Sequence, residues 1–259
     1  MNLHIVNPVD HPDWDSLLPA SGQASFFHTA GWARVLSQTY GYKARYFTIT
    51  DNGLIVGLMP VMEIKSLLTG KRGVSLPFTD VCTPLAVDRE TFALLLEESV
   101  AFGRQAGWKH LEFRGAKSWM PPGPASSMHL IHALELSADE VDVSARFKPN
   151  VRRNIRKSKK EGVTVELTHS LRSMAAYYRL HCVTRRHHGL PPQPWLFFKK
   201  MHEHIISPGK GFIALAEFQN RWIAGAVFLQ HRDQAIYKYG ASDIRFQRLR
   251  PNNLLMWEA

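Results

Sequence analysis

The sequence is poor in cysteine and in long apolar runs. Its two cysteines, Cys82 and Cys182, stand far apart and form no Cys-x-x-Cys pair, so neither a disulfide framework nor a thiolate metal site is indicated. No run of 18 apolar residues is present, and the first residues lack the basic and apolar segments of a secretory signal. We therefore expect a globular, cytoplasmic protein with at most peripheral membrane contact.

Several catalytic motifs are also missing. The stretch 70–73 lacks the spacer and the Gly-Lys-Ser/Thr ending of a P-loop, and no Gly-x-Ser-x-Gly nucleophile elbow occurs. Thirteen histidines are present, but none has a strong metal-ligand spacing. His202 and His204, for example, point in different directions on a helix. The sequence therefore predicts no metal site.

Acidic residues are absent from one strongly basic segment. Eight Lys or Arg and no Asp or Glu lie between Arg146 and Lys160, which leaves +2 of the net charge of +10 for the rest of the chain. A helix here places three apolar residues on one narrow stripe, namely Phe147, Val151 and Ile155. Basic side chains form a row on an adjacent face, with Arg153 and Lys157 beyond it; the row is Lys148, Arg152, Arg156 and Lys160.

This row is unfavourable on its own. Like charges at this spacing repel by roughly 0.2–0.5 kcal/mol per pair, so acidic neighbours or a bound anion must compensate. Three anions fit, namely a nucleic-acid backbone, a compact diphosphate and an anionic membrane surface. The helix lacks the exposed aromatic residues of nucleic-acid binders, and its apolar stripe is narrow for membrane embedding. A diphosphate bound by bidentate arginines fits best, and a solvated helix face is the alternative.

Hydrophobic periodicity and turn residues predict strands and helices in two halves. An Asn52-Gly53 turn indicates a hairpin, between strands at 46–50 and 54–62. The other predicted strands cover 74–76, 109–113, 128–136, 163–167, 212–218, 222–230 and 235–240. The predicted helices cover 33–40, 88–106, 146–160, 171–187 and 194–206, with a last one from Pro251.

A short internal similarity suggests duplication of one domain. Ile55-Val56-Gly57-Leu58 follows a strand and a tight turn in the first half, and Ile223-Ala224-Gly225-Ala226 does so in the second. The spacing is too long for a solenoid repeat and suits two copies of one domain.

The basic segment and its surroundings carry a family resemblance. The run FKPNVRRNIRKSKKEGVTV, residues 147–165, resembles the segment that opens the second GNAT-like domain of Fem-type aminoacyltransferases. Residues 26–32, 75–80, 237–242 and 251–258 resemble further elements of that group. The resemblance implies an α/β fold of two GNAT-like domains, each a mixed central sheet flanked by helices. The domains would cover residues 1–142 and 143–259, the second being incomplete at its C-terminal end.

The resemblance also implies a reaction, the transfer of an acyl group to an amine. Fem-type members move an amino acid from aminoacyl-tRNA to the peptide of a peptidoglycan precursor whose diphosphate is held by basic residues. The expected partners are therefore a phosphate-bearing envelope precursor and a charged tRNA, with no DNA. No tightly bound cofactor is expected, and the donor is either aminoacyl-tRNA or acyl-CoA.

Two other functions stay open at this point. One is an acyl-CoA-dependent N-acetyltransferase acting on an amino sugar, as in a polysaccharide, or on a small amine. The other is a non-catalytic RNA- or nucleotide-binding protein, for which the basic helix alone suffices. The oligomeric state is left open.

The resemblance implies roles for particular residues. Lys148, Arg152, Arg153 and Arg156 would bind the phosphates, and Trp32 would line a cleft of the first domain. Tyr237 and Asn252 are further substrate-binding candidates.

The chemistry needs a base for the amine and a donor for the leaving group. Asp80, after a Pro-Phe-Thr turn, is the candidate base, and Tyr239 or Tyr237 is the candidate donor. Turn aspartates also cap backbone N–H groups and strand tyrosines also pack, so structural roles are the alternative.

One feature departs from CoA-using GNAT domains, which cradle pyrophosphate in a glycine-containing loop before a helix. Residues 242–251 contain no glycine, although they contain Arg245, Arg248 and Arg250. We therefore do not expect ordinary CoA binding in this half.

Overall fold

The computed structural model describes residues 2–19, 24–120 and 123–259, and it has the mixed α/β architecture that the sequence predicts. The chain divides into two compact units. The first covers the chain up to residue 122 together with 203–205 and 231–234, and the second covers the remainder. The domain boundary proposed after residue 142 stays a prediction. Within the described ranges, no helix is long and apolar enough to cross a membrane.

The first unit is built on a mixed sheet. Its described elements are β1 (Asn2–Val6), α1 (Trp14–Leu17), α2 (Ala30–Tyr40), β2 (Lys43–Asp51), β3 (Leu54–Ser66), β4 (Gly70–Val74), β5 (Leu85–Ala86), α3 (Arg89–Gln105) and β6 (Leu111–Glu112). The sheet follows the order β1-β2-β3-β4-β6, and β5 pairs separately with β3. Neighbours are antiparallel up to β4, whereas β6 lies parallel to β4.

The β2–β3 hairpin forms where the sequence predicts it. Asn52 and Gly53 have φ values of 49° and 78°. Positive φ at both central residues matches the twist of the flanking strands, so Asp51 pairs directly with Leu54. The bounds of α3 also agree with the predicted helix.

The second unit carries a four-stranded sheet in the order β10-β9-β8-β7, in which β7 (Thr164–Thr168), β8 (Gly211–Phe218), β9 (Arg221–His231) and β10 (Gln234–Ser242) are the strands. Its helices are α4 (Glu140–Ala145), α5 (Pro149–Lys160), α6 (Leu171–His187), α7 (Trp195–Met201) and α8 (Pro251–Glu258). Strand β8 is antiparallel to both β7 and β9. Helix α6 has the predicted bounds, and the side chain of Ser170 caps it by accepting from the N–H of Ser173 at 3.0 Å.

The two units share one order of elements. In each, a first strand is followed by two helices, then by three strands that are neighbours in the sheet, and later by a helix. Gly57 and Gly225 both lie in the third strand of this order. A Cβ on Gly57 would lie 2.7 Å from Thr91 of α3, and one on Gly225 would lie 3.0 Å from Tyr177 of α6. The shared order agrees with a duplication, although the helix that crosses the glycine differs between the units.

One predicted strand is absent and another is displaced. Residues 128–136 belong to no strand and are exposed throughout. Their apolar alternation imitates a strand, but a strand also needs a neighbour that accepts its backbone hydrogen bonds. The strand predicted at 74–76 ends at Val74, because the φ of Leu76 is 56° and breaks the extended conformation.

Candidate functional site

Helix α5 docks on the second unit through its apolar stripe. Ile155 is buried in a core cluster that includes residues of β8, β9 and α8, and Phe147 and Val151 pack against the same cluster. Pro149 occupies the first turn, and Gly162, with a φ of 84°, follows the end of the helix. The predicted helix is therefore confirmed from Pro149 onward, with Val151 and Ile155 on its docking face. Phe147 packs against the same cluster from the turn before the helix.

A groove lies between α5 and α8. Seven residues line it, namely Ser144, Pro149, Arg152, Ile155, Arg156, Lys159 and Trp257. The ammonium of Lys159 lies 2.8 Å from the carboxylate of Glu258, which neutralises it. Within the described part of the chain, Arg152 and Arg156 take part in no ion pair. The groove thus offers two guanidinium groups one helical turn apart beside the ring of Trp257.

The structure divides the predicted phosphate ligands into two pairs. Arg152 and Arg156 line the groove between α5 and α8. Lys148, which precedes the first turn of α5, and Arg153 are exposed and lie outside that lining. Arg152 and Arg156 can therefore bind one anion together, whereas Lys148 and Arg153 face solvent.

The two predicted tyrosines lie on β10 in different surroundings. Tyr237 is half exposed, and its hydroxyl overlaps the place that a Cβ on Gly240 would take. Burial raises the pKa of Tyr237, so its phenol stays protonated at neutral pH and can donate a hydrogen bond. Tyr239 packs against Phe198 at 5.6 Å between ring centroids, and its hydroxyl oxygen is buried. The catalytic role of Tyr239 stays a prediction.

A buried histidine contacts Tyr239. The Nε2 atom of His181 lies 2.8 Å from Oε1 of Gln193, and its Nδ1 lies 3.5 Å from the hydroxyl of Tyr177. Burial lowers the pKa of His181, so the imidazole is neutral near pH 7. In the neutral ring Nε2–H donates to Gln193 and Nδ1 accepts from Tyr177. These hydrogen bonds fix the ring that meets Tyr239 edge-on at 6.1 Å.

Polar groups in the connection between β10 and α8 form hydrogen bonds with one another. Residues 244–249 form a 3₁₀ helix whose first turn is capped by Asp243, which accepts from the N–H of Arg245 at 3.1 Å. The guanidinium of Arg245 holds the same carboxylate, with Nε at 2.9 Å, and lowers the pKa of Asp243. Asn252, predicted to bind substrate, is exposed at the start of α8, and its amide lies 3.4 Å from the hydroxyl of Ser242.

In the first unit, the predicted base lies in a strained connection. Asp80 is exposed between β4 and β5. It follows Leu76 and Phe78, whose φ values of 56° and 61° are rare for bulky residues. Strain of this kind concentrates at functional sites, which is consistent with a role for this connection. The base role of Asp80 stays a prediction.

Trp32 lies in the core of the first unit. Its side chain has no exposed surface, and its ring packs edge to face on Phe27 at 5.4 Å and on Phe26 at 6.1 Å between ring centroids. A ring enclosed in this way presents no surface to a substrate. The cleft-lining role that the resemblance implies for Trp32 is therefore replaced by core packing.

A cysteine and a histidine meet in the same core. The Sγ of Cys82 lies 3.8 Å from Nε2 of His28, a pairing that the sequence does not reveal. Burial raises the pKa of the Cys82 thiol to about 12 and lowers the pKa of His28. The pair therefore holds a neutral thiol and a neutral imidazole, and it is unsuited to nucleophilic catalysis. Across the described ranges, no group of three His, Cys, Asp or Glu side chains is arranged to hold a metal ion.

Sequence comparison identifies a known domain in the C-terminal part of the chain. Residues 145–259, which span α5 to α8 and the whole four-stranded sheet, match the Acetyltransferase (GNAT) domain family. This part of the chain therefore carries a GNAT-type acyltransferase domain. The alternative of a non-catalytic RNA- or nucleotide-binding protein is therefore set aside. A comparison of this acyltransferase with the curated proteins finds no match.

Comparison with solved structures finds similarity over both units of the chain. The crystal structure of FemX aligns with this chain at 13% sequence identity and a TM-score of 0.74. The alignment covers 100% of this chain and 84% of the FemX chain. The C-terminal domain of a protein assigned as a lysylphosphatidylglycerol synthetase from Agrobacterium fabrum matches 88% of this chain and 68% of its own, with 12% identity and a TM-score of 0.52. At these identities the matches establish the fold, which is of the Fem type.

The contribution of α8 to the groove could not be predicted from the sequence. Trp257 forms its aromatic wall and Glu258 neutralises Lys159, yet both lie about 100 residues beyond α5. Periodicity places residues on a face of their own helix and carries no information on which distant helix packs there. An observed covariation between α5 and α8 would have been the only sequence signal for this contact.

Proposed function

We propose that this acyltransferase moves an aminoacyl group from a charged tRNA to an amine of a phosphate-bearing cell-envelope precursor, such as a peptidoglycan precursor. The observation that carries the proposal is the groove between α5 and α8. Arg152 and Arg156 line it without an ion-pair partner among the described residues, while Lys159 in the same lining is neutralised by Glu258. Planar guanidinium groups match the oxygens of a phosphate or diphosphate, which is why this groove suits the acceptor.

The connection between β10 and α8 supports an ester-linked donor. In a CoA-using GNAT domain, backbone N–H groups at this connection cradle the pyrophosphate. Here the N–H of Phe246 is hydrogen-bonded to the carbonyl of Asp243 at 3.0 Å, and the N–H of Arg250 to the carbonyl of Gln247 at 3.0 Å. Because the turn uses these donors itself and Arg245 is held by Asp243, the connection is poorly suited to a CoA pyrophosphate.

The proposed step forms an amide and breaks an ester. The neutral amine of the acceptor attacks the aminoacyl carbonyl, the bond to the tRNA ribose oxygen breaks, and that oxygen leaves as a hydroxyl after taking a proton. Asp80 is the proposed base for the amine proton. Tyr239 is the proposed donor to the leaving oxygen, with Tyr237 as the more exposed alternative on the same strand. No covalent intermediate is needed.

A second donor is favoured by one observation. The matched family is described as acetyltransferases, and acetyl-CoA is the donor that such a name suggests. Transfer from acyl-CoA to an amino sugar or another small amine is thus the second candidate function.

A donor screen separates the two candidates. The 259-residue chain is incubated with amine-bearing, diphosphate-linked peptidoglycan precursor and either a pool of charged tRNAs or a set of acyl-CoAs, and products are identified by mass. We expect the acceptor to gain the mass of an amino-acid residue from charged tRNA, and ribonuclease treatment of the donor pool to abolish the gain. An acetyl or acyl adduct from the CoA series, with none from tRNA, would contradict the proposal.

A further inference from the structure

Residues 123–142 include an apolar segment that no other described residue covers. Every residue from 123 to 142 is exposed, and regular structure begins only with α4. Between residues 128 and 136, five large apolar side chains are between 60% and 90% exposed, namely Met128, Leu130, Ile131, Leu134 and Leu136. Single exposed leucines are ordinary, but a contiguous apolar run of this kind marks a contact surface.

The order of residues in this segment is nearly palindromic about His132. The sequence MHLIHALEL, residues 128–136, has apolar residues at equal distances on both sides of that histidine. Leu130 mirrors Leu134, and Met128 mirrors Leu136. His129 mirrors Glu135, so an imidazole and a carboxylate, which can form a hydrogen bond, occupy matching positions on the two sides of the centre.

This symmetry fits one kind of strand pairing. In an antiparallel pair of two identical segments centred on His132, Leu130 lies opposite Leu134 of the other copy, and His129 lies opposite Glu135. A shift by one residue would place Met128 opposite Glu135, and a parallel arrangement would place Glu135 opposite itself. The shifted register loses the leucine pairs, and the parallel arrangement brings two carboxylates together. The symmetric register keeps the leucine pairs and the His129–Glu135 pairs, and places His132 opposite His132 of the other copy.

We propose that the segment 128–136 pairs with the same segment of a second copy of this chain. The two segments would form antiparallel strands related by a two-fold axis at His132. Pairing satisfies the backbone groups that the exposed segment leaves to solvent, and it places four apolar residues of each copy on one face, namely Met128, Leu130, Leu134 and Leu136. The inference rests on this segment alone and is independent of the donor and the acceptor of the transfer reaction.

The oligomeric state provides the first test. The mass of the 259-residue chain is measured by sedimentation over a range of concentrations. We expect a dimer whose dissociation constant rises by about 100-fold or more in Leu130→Ser/Leu134→Ser, because two buried apolar contacts are lost per copy. The matched control is Leu67→Ser/Leu68→Ser, which removes two exposed leucines elsewhere and should leave the dimer unchanged. A monomeric wild type, or a dimer that survives the first variant, overturns the proposal.

Crosslinking tests the register. In a Cys182→Ser background, His132→Cys should form a disulfide with its own copy on mild oxidation, because directly opposite residues of antiparallel strands lie about 4.5–5.5 Å apart at Cα. Ala133→Cys would face Ile131 of the other copy and should crosslink much less. Equal crosslinking of both variants, or none of His132→Cys, rejects the symmetric register. Glu135→Lys should weaken the dimer because it removes the carboxylate opposite His129, and His129→Glu combined with Glu135→Lys should restore it because opposite charges again face each other.

Discussion

Replacing Arg152 and Arg156 together by alanine is expected to lower kcat/KM for the phosphate-bearing acceptor by about 10²- to 10⁴-fold. Each arginine can supply charge-assisted hydrogen bonds worth roughly 1.5–3 kcal/mol, and a tenfold change in rate corresponds to about 1.4 kcal/mol. The loss should be confined to the acceptor, so the KM for the donor stays near its original value. Initial rates at varied acceptor and donor concentrations measure both quantities.

The control for this variant lies on the same helix. Lys157→Ala/Lys160→Ala removes the same charge from α5, but neither lysine lines the groove. If the groove is the acceptor site, this control should retain nearly all of the activity. Equal losses in both double variants would instead point to the overall charge of α5, as expected for a diffuse attraction to tRNA.

Replacing Trp32 by alanine is expected to lower the free energy of unfolding by about 3–5 kcal/mol, a large fraction of the stability of an ordinary domain. The ring is wholly buried and contacts Phe26 and Phe27, so its removal leaves a cavity in the core of the first unit. Urea unfolding monitored by circular dichroism measures the change.

The conservative variant separates packing from substrate contact. Trp32→Phe keeps an aromatic ring in the core and should cost less than the alanine variant, without a selective change in the KM of the acceptor. A Trp32→Ala protein with the stability of the wild type but a greatly raised acceptor KM would contradict the core assignment and restore the cleft-lining role.

Local sequence signals predicted many elements of the fold. The positive φ values of Asn52 and Gly53 allow the β2–β3 hairpin, and Ser170 starts α6 where the periodicity begins. The docking face of α5 was also predictable, since Val151 and Ile155, four residues apart, lie on one face of a helix. These features depend on contacts within one element or between chain neighbours, which is the range over which sequence patterns carry information.

Features that depend on distant residues were missed or misassigned. The alternating residues 128–136 have the pattern of a strand, but no neighbour in the described chain pairs with them. The contact of Cys82 with His28 brings together residues from separate elements. The predicted phosphate ligands of α5 divide into a groove-lining pair and an exposed pair only because α8 packs on one side of the helix. Tertiary packing decides all three, and a single sequence does not report it.

The central claim is that Arg152 and Arg156 recognise the phosphates of the acceptor. Calorimetric titration tests it most directly, with a diphosphate-linked peptidoglycan precursor and the same compound without its diphosphate as ligands. Both are titrated into the wild type and into Arg152→Ala/Arg156→Ala. We predict that removing the diphosphate or the two arginines weakens binding at least about 100-fold, and that removing both costs little more than either alone, because one interaction is lost in each case. Equal binding of the two ligands by the wild type, or two fully additive losses, would contradict the assignment.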